Sequence, residues 1–335
     1  MALPVLDLSL SDDELSATFH EACTQYGFFY IINAISAEEQ EAALRATKEF
    51  FKLSMEDKNE ISASKSKNFS GYTGFNEEWL DKKNQKIGDT KEGFYIGPKG
   101  PEDSEIPLVG PNQWPKEEQL PGWRELMENY KEKCYNTCIR LLKIMGKAIL
   151  LCSDEKLPEN TEPFDFLPFF SSPMTFLRLL HYDSTVSDPN AGVFGCGAHT
   201  DYGVFTILTT DEVPALEIFP RASGDKSSVV DINNPAWMQV PPMKGALVVN
   251  LGDLLEIWSN NRYKSTLHRV IQRENRERYS IPYFFEPNFD SKIECLPFCC
   301  SPARPAIYPP LISGQHLLNM YKGSHDSFDE NNIKK

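Results

Sequence analysis

The 335-residue chain has no block of consecutive lysines and arginines, no long uninterrupted apolar run and no regular framework of cysteines. Each absence removes a class of function. With 34 Lys and Arg against 48 Asp and Glu, the formal net charge is -14. A phosphate-binding face needs clustered cations, so nucleic acid is not expected as a partner. No apolar stretch reaches the roughly 20 residues that cross a bilayer. The start, MALPVLDLSLSDDEL, lacks the basic-then-apolar order of a signal peptide. A cytoplasmic monomer is therefore expected, without a membrane partner, its acidity serving solubility. The eight cysteines (23, 134, 138, 152, 196, 295, 299 and 300) read as reduced thiols. Cys134 and Cys138 lie one helical turn apart, but no second Cys or His pair stands where it could complete a four-ligand zinc site. Histidine is scarce, at six residues: 20, 181, 199, 268, 316 and 325.

What is present is a chain 41% hydrophobic and 12% aromatic, long enough for one large barrel or sandwich. Residues 11–25 have the pattern of an amphipathic helix, and GFFYII (27–32) that of a strand. Residues 36–53 read as a second helix, with Ser36 and Glu39 forming a capping box. Residues 54–118, polar and rich in Gly, Lys and Pro, read as long loops. From Pro121 to Cys152, apolar residues from Trp123 to Ile149 recur at steps of three and four, predicting a helix roughly 45 Å long. After residue 170 the rhythm changes to TFLRLLHY, VFTILTT, ALEIF, ALVVNL, TLHRVI and RYSIPYFFEP, separated by turns such as SDPNAG, RASGDKS, PPMKG and SNNRYK. This predicts an antiparallel sandwich or barrel. The expected organisation is an N-terminal helical and loop region (1–120), a long helix and connector (121–165), a β core (166–320) and a fraying tail (321–335).

Within that core, GAHTDYGVFTILTT (197–210) raises a chemical question. Residues two apart on a strand share a face, so His199 and Asp201 project together, with Gly197 and Gly203 at the same parity leaving room beside them. An imidazole and a carboxylate side by side are two ready metal ligands. His268, in the strand-like KSTLHRVI, is a third candidate 67 residues on. Two His and one carboxylate on one side of Fe(II) leave neighbouring positions open for a bidentate 2-oxo acid and O2. The far carboxylate of that acid needs a cationic fork. Arg278 and Ser280, ten and twelve residues past His268, share a face and offer one. Pro282, Phe284 and Glu286 continue that parity along the strand.

Taken together, HTD (199–201), His268 and RYS (278–280) resemble the 2-oxoglutarate/Fe(II)-dependent dioxygenases, in the isopenicillin N synthase-like branch. ACTQYGFFYIIN, KEFFKLSMEDK, SGYTGF, LRLLHY and NLGDLLEIWSN extend the likeness along the chain. GDTKEGFYIG (88–97) is similar to the plant hyoscyamine-hydroxylase-like group. The resemblance implies a mainly β fold with flanking helices: a distorted double-stranded β-helix, or jelly roll, with a long helix along one side. It implies iron ligation by His199, Asp201 and His268, and binding of the 2-oxoglutarate C5 carboxylate by Arg278 and Ser280. Tyr182 falls where relatives place a tyrosine that touches the co-substrate. The implied reaction oxidises an unactivated C–H bond of a small molecule by hydroxylation, desaturation or ring closure, in specialised or small-metabolite metabolism. Fe(II), 2-oxoglutarate and O2 take part, succinate and CO2 are released, and ascorbate acts as a stimulant. Tyr72, Phe75, Phe94, Tyr202, Phe205, Phe284 and Glu286 are the expected substrate-pocket residues. The chain departs from the pattern at INAIS, where many relatives read NHG, and at HYDS, where YYP is common.

Other readings of the same residues stand beside this one. His199 and Asp201 could simply bond each other in a core. Arg278 could pair with a surface acid of the charged run RENRERYS. His181 and the aromatics could be packing residues. At the level of function the alternatives are an iron oxidase of the same fold that does not use 2-oxoglutarate, a zinc hydrolase, or a non-catalytic binding module. Asp89, Lys91 and Glu92 hint at a partly polar, amine-bearing substrate.

Overall fold

The protein is seen here as a computed structural model that describes residues 2–158, 160–220, 233–325 and 328. The predicted turn RASGDKS lies outside them. Strand β1 (Val5–Asp7) leads into helix α1 (Asp12–Gln25), β2 (Phe28–Ile32) and α2 (Ala37–Phe51). Ser11 and Ser36 each close a capping box, with Glu14 and Glu39, as the spacing of hydroxyl and acid dictates. Helix α3 (Met55–Glu60), β3 (Gly71–Thr73) and β4 (Lys91–Ile96) follow. Helix α4 (Trp123–Ala148) has 26 residues, about 40 Å of helix, and passes into a 3-10 turn at Ile149–Cys152. Its stripe of Met127, Tyr130, Cys134, Cys138, Leu141 and Met145 is buried, against α1, α2 and the backs of the central strands.

The β core contains β5 (Pro173–Tyr182), β6 (Cys196–His199), β7 (Phe205–Thr210), β8 (Leu216–Phe219), β9 (Met238–Gln239), β10 (Leu247–Leu251), β11 (Leu267–Val270) and β12 (Arg278–Asn288). Helix α5 (Asp253–Trp258) follows β10, and α6 (Ser313–Ser324) closes the described chain. An eight-stranded sheet runs β1-β2-β10-β7-β12-β5-β4-β3, and a four-stranded sheet runs β6-β11-β8-β9. β1 pairs with β2 in parallel; the other pairings are antiparallel.

Strand alternation divides the large sheet. Leu177, Leu179, Phe205, Ile207, Val249, Tyr283 and Phe285 join the apolar core shared with α1, α2 and α4. Arg178, Leu180, Tyr182, Thr206, Leu208, Asn250, Arg278, Ser280 and Phe284 face the other way, where the small sheet encloses a cavity with them. A central strand can thus be apolar on one face and carry chemistry on the other.

Three expectations are corrected. Residues 54–118 are not only loops: β3 and β4 complete one edge of the large sheet, and β1 and β2 the other, so the first 120 residues are built into the barrel. Their β4 strand, KEGFYI, mixes charge and glycine with its apolar residues, which conceals it from a composition reading. The tail does not fray at its start. Tyr321, Ser324, His325 and Phe328 are buried, because α6 lays its apolar side over Phe69, Tyr95 and Phe176. Finally, no continuous strand carries both His199 and Asp201: β6 stops at His199, and Asp201 lies in the bend before β7. Among the described residues no helix is long and apolar enough to cross a membrane.

Candidate active site

His199 ends β6 and His268 sits in β11, directly opposite it in the antiparallel ladder. Register alone therefore brings together two histidines 69 residues apart, with ring centroids 4.2 Å apart. Asp201 Oδ1 lies 3.7 Å from Nε2 of each ring. One ligand atom from each of the three residues falls within 4.8 Å of the others, a spacing that suits a single ion. Nδ1 of His199 faces the Gly197 carbonyl at 2.8 Å and Nδ1 of His268 the Thr266 carbonyl at 3.1 Å. A carbonyl only accepts, so each ring carries its proton on Nδ1 and leaves the Nε2 lone pair free. The other Asp201 oxygen accepts from Thr206 Oγ1 and Asn250 Nδ2, both at 2.6 Å. Burial, with His199 alongside, pushes the His268 pKa down to about 4 against the pull of Asp201, so the ring is neutral at pH 7. For Asp201 burial acts upward, but His268, His199, Asn250 and Thr206 together hold its pKa below the usual value. The expected room beside Gly197 and Gly203 is filled. A Cβ at Gly197 would lie 2.6 Å from Gln85 Oε1, and one at Gly203 2.3 Å from the Glu286 carboxyl carbon.

From the triad the cavity extends two ways. One lobe, about 70 Å³, reaches Tyr182, Arg278 and Ser280. Arg278 is 1% exposed, and among the described residues it forms no ion pair. Nη1 reaches Ser280 Oγ at 3.3 Å, Nη2 reaches Thr210 Oγ1 at 3.1 Å, and Nε has no partner. Its guanidinium lies 4.8 Å from the ring centre of Tyr182, its cross-strand neighbour. Asp211 accepts from the Tyr279 and Val213 amides rather than from Arg278. The Asp211 carboxylate acts on Arg278 only through space, and a buried cation without an ion-pair partner is costly.

The second lobe, about 50 Å³, is walled by Tyr95, Phe176, Tyr202, Phe284, Glu286 and Tyr321. A buried ionic network, with Glu78, Arg178 and His325 at the lobe's surface, completes the wall. Glu78 takes both terminal nitrogens of Arg178 (3.0 and 2.7 Å), Lys91 Nζ (2.8 Å) and His325 Nε2 (3.3 Å). Lys91 also bonds Asp89, and Tyr95 Oη lies 2.7 Å from His325 Nε2.

Of the residues expected from sequence, His199, Asp201, His268, Tyr182, Arg278, Ser280, Tyr202, Phe284 and Glu286 border this cavity. Tyr72, Phe75, Phe94 and Phe205 do not. Tyr72 bonds Glu92 at 2.6 Å, and Phe75 packs on His181. Phe94 contacts Phe50 and Trp123, and Phe205 contacts Phe19. Phe94 and Phe205 miss by one residue of strand parity; their neighbours Tyr95 and Thr206 line the cavity instead. Sequence reading missed Glu78, Arg178 and His325. An arginine in the middle of the apolar TFLRLLHY was a legible signal for Arg178. Glu78 in a loop and His325 past a helix end carry none.

Residues 173–287 match the family described as 2OG-Fe(II) oxygenase superfamily, and residues 3–117 match the one described as non-haem dioxygenase in morphine synthesis N-terminal. The chain is 34% identical over 326 residues to azadirone synthase of Melia azedarach, spanning 95% of this chain and 92% of that one. It is 34% identical over 341 residues to the 2-oxoglutarate-Fe(II) type oxidoreductase hxnY of Emericella nidulans, spanning 97% and 90%. The crystal structure of a full-length Neurospora crassa protein in complex with alpha-KG superposes with a TM-score of 0.76 at 26% identity, covering 96% of both chains. The same protein with alpha-KG and thymine gives 0.74 at 27%, again covering 96% of both.

Proposed function

The chain belongs to the 2OG-Fe(II) oxygenase superfamily, and on that premise we propose that His199, Asp201 and His268 hold its iron and that Arg278, Ser280 and Tyr182 hold its co-substrate. The protein is a 2-oxoglutarate/Fe(II)-dependent dioxygenase, an oxidoreductase acting on small molecules. Support for the iron ligands is the donor set: two Nε2 lone pairs, their rings oriented through Nδ1, and one carboxylate oxygen left free by Thr206 and Asn250. Support for the co-substrate residues is the buried Arg278 guanidinium, which has no carboxylate partner of its own. This second observation carries the assignment of the co-substrate residues, because the buried guanidinium calls for a carboxylate and 2-oxoglutarate brings one; an oxidase that draws a carboxylate from its own substrate would use the same cation, and succinate formation separates the two.

Bound iron and 2-oxoglutarate supply the oxidising power, with O2 as oxidant and succinate and CO2 as the co-product pair. The chain supplies placement. Arg278 and Ser280 would hold the C5 carboxylate, and the Tyr182 ring supports the guanidinium. Leu80, Phe28, Leu208 and Val270 exclude water from the first lobe. The second lobe adjoins the same His199 and Asp201, so a molecule seated there presents a C–H bond to the metal side. Oxidation at that C–H bond, by hydroxylation, desaturation or ring closure, is the proposed outcome.

The names of the relatives range from azadirone synthase to homoarginine-6-hydroxylase, and a similar structure holds thymine. The second lobe, which adjoins His199 and Asp201 and is lined by side chains from β4, β5, β12 and α6, is the proposed place where substrates are told apart. The test is succinate formation from 2-oxoglutarate by the Fe(II)-loaded protein in air. Wild type forms succinate, His268→Ala forms none above background, and Arg278→Gln regains activity only at raised 2-oxoglutarate. Oxygen uptake without succinate would overturn the reading in favour of the oxidase alternative.

A further inference from the structure

Glu286 is the last inward-facing residue of β12 before the ladder shifts register, and it is 3% exposed. Its carboxyl borders the aromatic lobe. The other acid of that lobe outside the triad, Glu78, is paired with Arg178, Lys91 and His325. Among the described residues no N–H or O–H reaches the Glu286 carboxyl, and no cation pairs with it. It is held over Gly203, two residues past Asp201, where a Cβ would lie 2.3 Å from the carboxyl carbon. Burial, with Asp201 and Asp253 nearby, holds its pKa above the usual carboxylate value, so the group favours its neutral form, whose carbonyl oxygen opens onto the lobe with no protein donor.

We propose that Glu286 selects the substrate: its carboxyl accepts a hydrogen bond from an N–H of the molecule whose C–H bond is oxidised. The substrate class is then small N–H-bearing compounds, amides, cyclic imides or amines, with a flat or apolar body against Tyr95, Tyr202 and Phe284. An N–H suits this lobe because aromatic faces favour donors that carry partial positive charge. Glu286 also stands close to the metal side, so anchoring the N–H fixes which neighbouring carbon faces the triad. The inference rests on the iron and co-substrate reading above.

The test uses the full-length protein loaded with Zn(II) in place of Fe(II) and with 2-oxoglutarate, and follows binding by ligand-observed NMR. The probes are matched pairs: thymine against its N,N'-dimethyl analogue, and a six-membered lactam against its N-methyl counterpart, with cyclohexanol as an O–H control. In wild type the N–H member of each pair binds at least about tenfold more tightly. The preference disappears in Glu286→Leu and is partly kept in Glu286→Gln, which retains one acceptor oxygen. The Tm of unloaded Glu286→Leu stays level or rises, since a carboxyl without donors has been removed. Equal binding within pairs, no binding by any N–H probe, a preference for cyclohexanol, an unchanged preference in the leucine variant, or a fall in its Tm would each overturn the proposal. The visible charge-transfer band of the anaerobic Fe(II)–2-oxoglutarate complex separates the two levels. If it forms in wild type while the pairs bind equally, the metal reading stands and Glu286 is not the selector. If it is absent in wild type, both fall.

Discussion

His199 and His268 face each other across the β6–β11 ladder, with Asp201 Oδ1 3.7 Å from Nε2 of each. A one-residue slip of either strand would turn one imidazole to the opposite face. The spacing of the three donor groups is therefore a property of strand register, and it is trimmed by the groups that fix the ring tautomers and the carboxylate.

Those supporting groups give the first prediction. Thr206→Val and Asn250→Ala each remove a donor to Asp201 without touching a ligand atom. Metal affinity, measured by competition with a chelator, falls by about 10–100-fold in each variant. An unchanged affinity would show that the carboxylate is oriented by packing alone.

Arg278 gives the second. With its charge buried and unpaired, Arg278→Met leaves the thermal stability of the ligand-free protein level or higher. The KM for 2-oxoglutarate nevertheless rises by about 10–100-fold, the loss expected for charge-assisted hydrogen bonds. Arg278→Lys recovers only part of this, because a point charge cannot form the fork. A marked stability loss in the methionine variant would instead assign Arg278 to holding the sheet together.

Phe205 tests strand parity. It is 1% exposed, with its ring edge-on to Phe19 on the helix-facing side of β7. Phe205→Ala destabilises by about 3–5 kcal/mol in urea unfolding, while the KM for 2-oxoglutarate, measured where the variant is still folded, does not move. A selective rise in KM at full stability would put Phe205 back in the cavity wall.

His325 sets a pH dependence. Its pKa is pushed down to about 4 by burial, with Arg178 and Lys91 adding to that push and Glu78 opposing it. The unfolded chain binds this proton near pH 6.5, the folded chain not until about 4. Stability from the neutral ring is thus complete above about 6.5 and is lost as pH falls towards 4, up to about 3 kcal/mol. Urea midpoints of the metal-free protein should fall more steeply over this window in wild type than in His325→Gln, whose side chain does not titrate. Parallel curves would mean that the ring shares its protonation between both states.

Much of the site was legible in sequence because its signals are short-range. Arg278, Ser280, Phe284 and Glu286 follow one another at period two on a single strand, and alternation places them on one face without further information. The parity reading failed where the strand was not the one assumed. Alternation alone predicts open space beside Gly197 and Gly203, yet Gln85 and Glu286 fill it, and those contacts come from elsewhere in the chain. Phe94 and Phe205 looked like pocket aromatics because nothing local says which face of β4 or β7 meets the helices. Glu78 and His325 were invisible: 247 residues separate them, and a loop and a helix end bring them within 3.3 Å.

By itself, then, the order of residues determined the caps of α1 and α2, most element types, and the donor chemistry of the residues proposed to hold a metal and a carboxylate. These depend on periodicity, on hydroxyl-to-acid spacing and on side-chain donor chemistry, all of which act over a few residues. Only the tertiary structure decided that His199 and His268 meet, that the first hundred residues supply sheet edges, and that one carboxyl beside the metal is left without a donor. Those outcomes depend on strand register and on which distant groups share a buried space, and no local pattern encodes either.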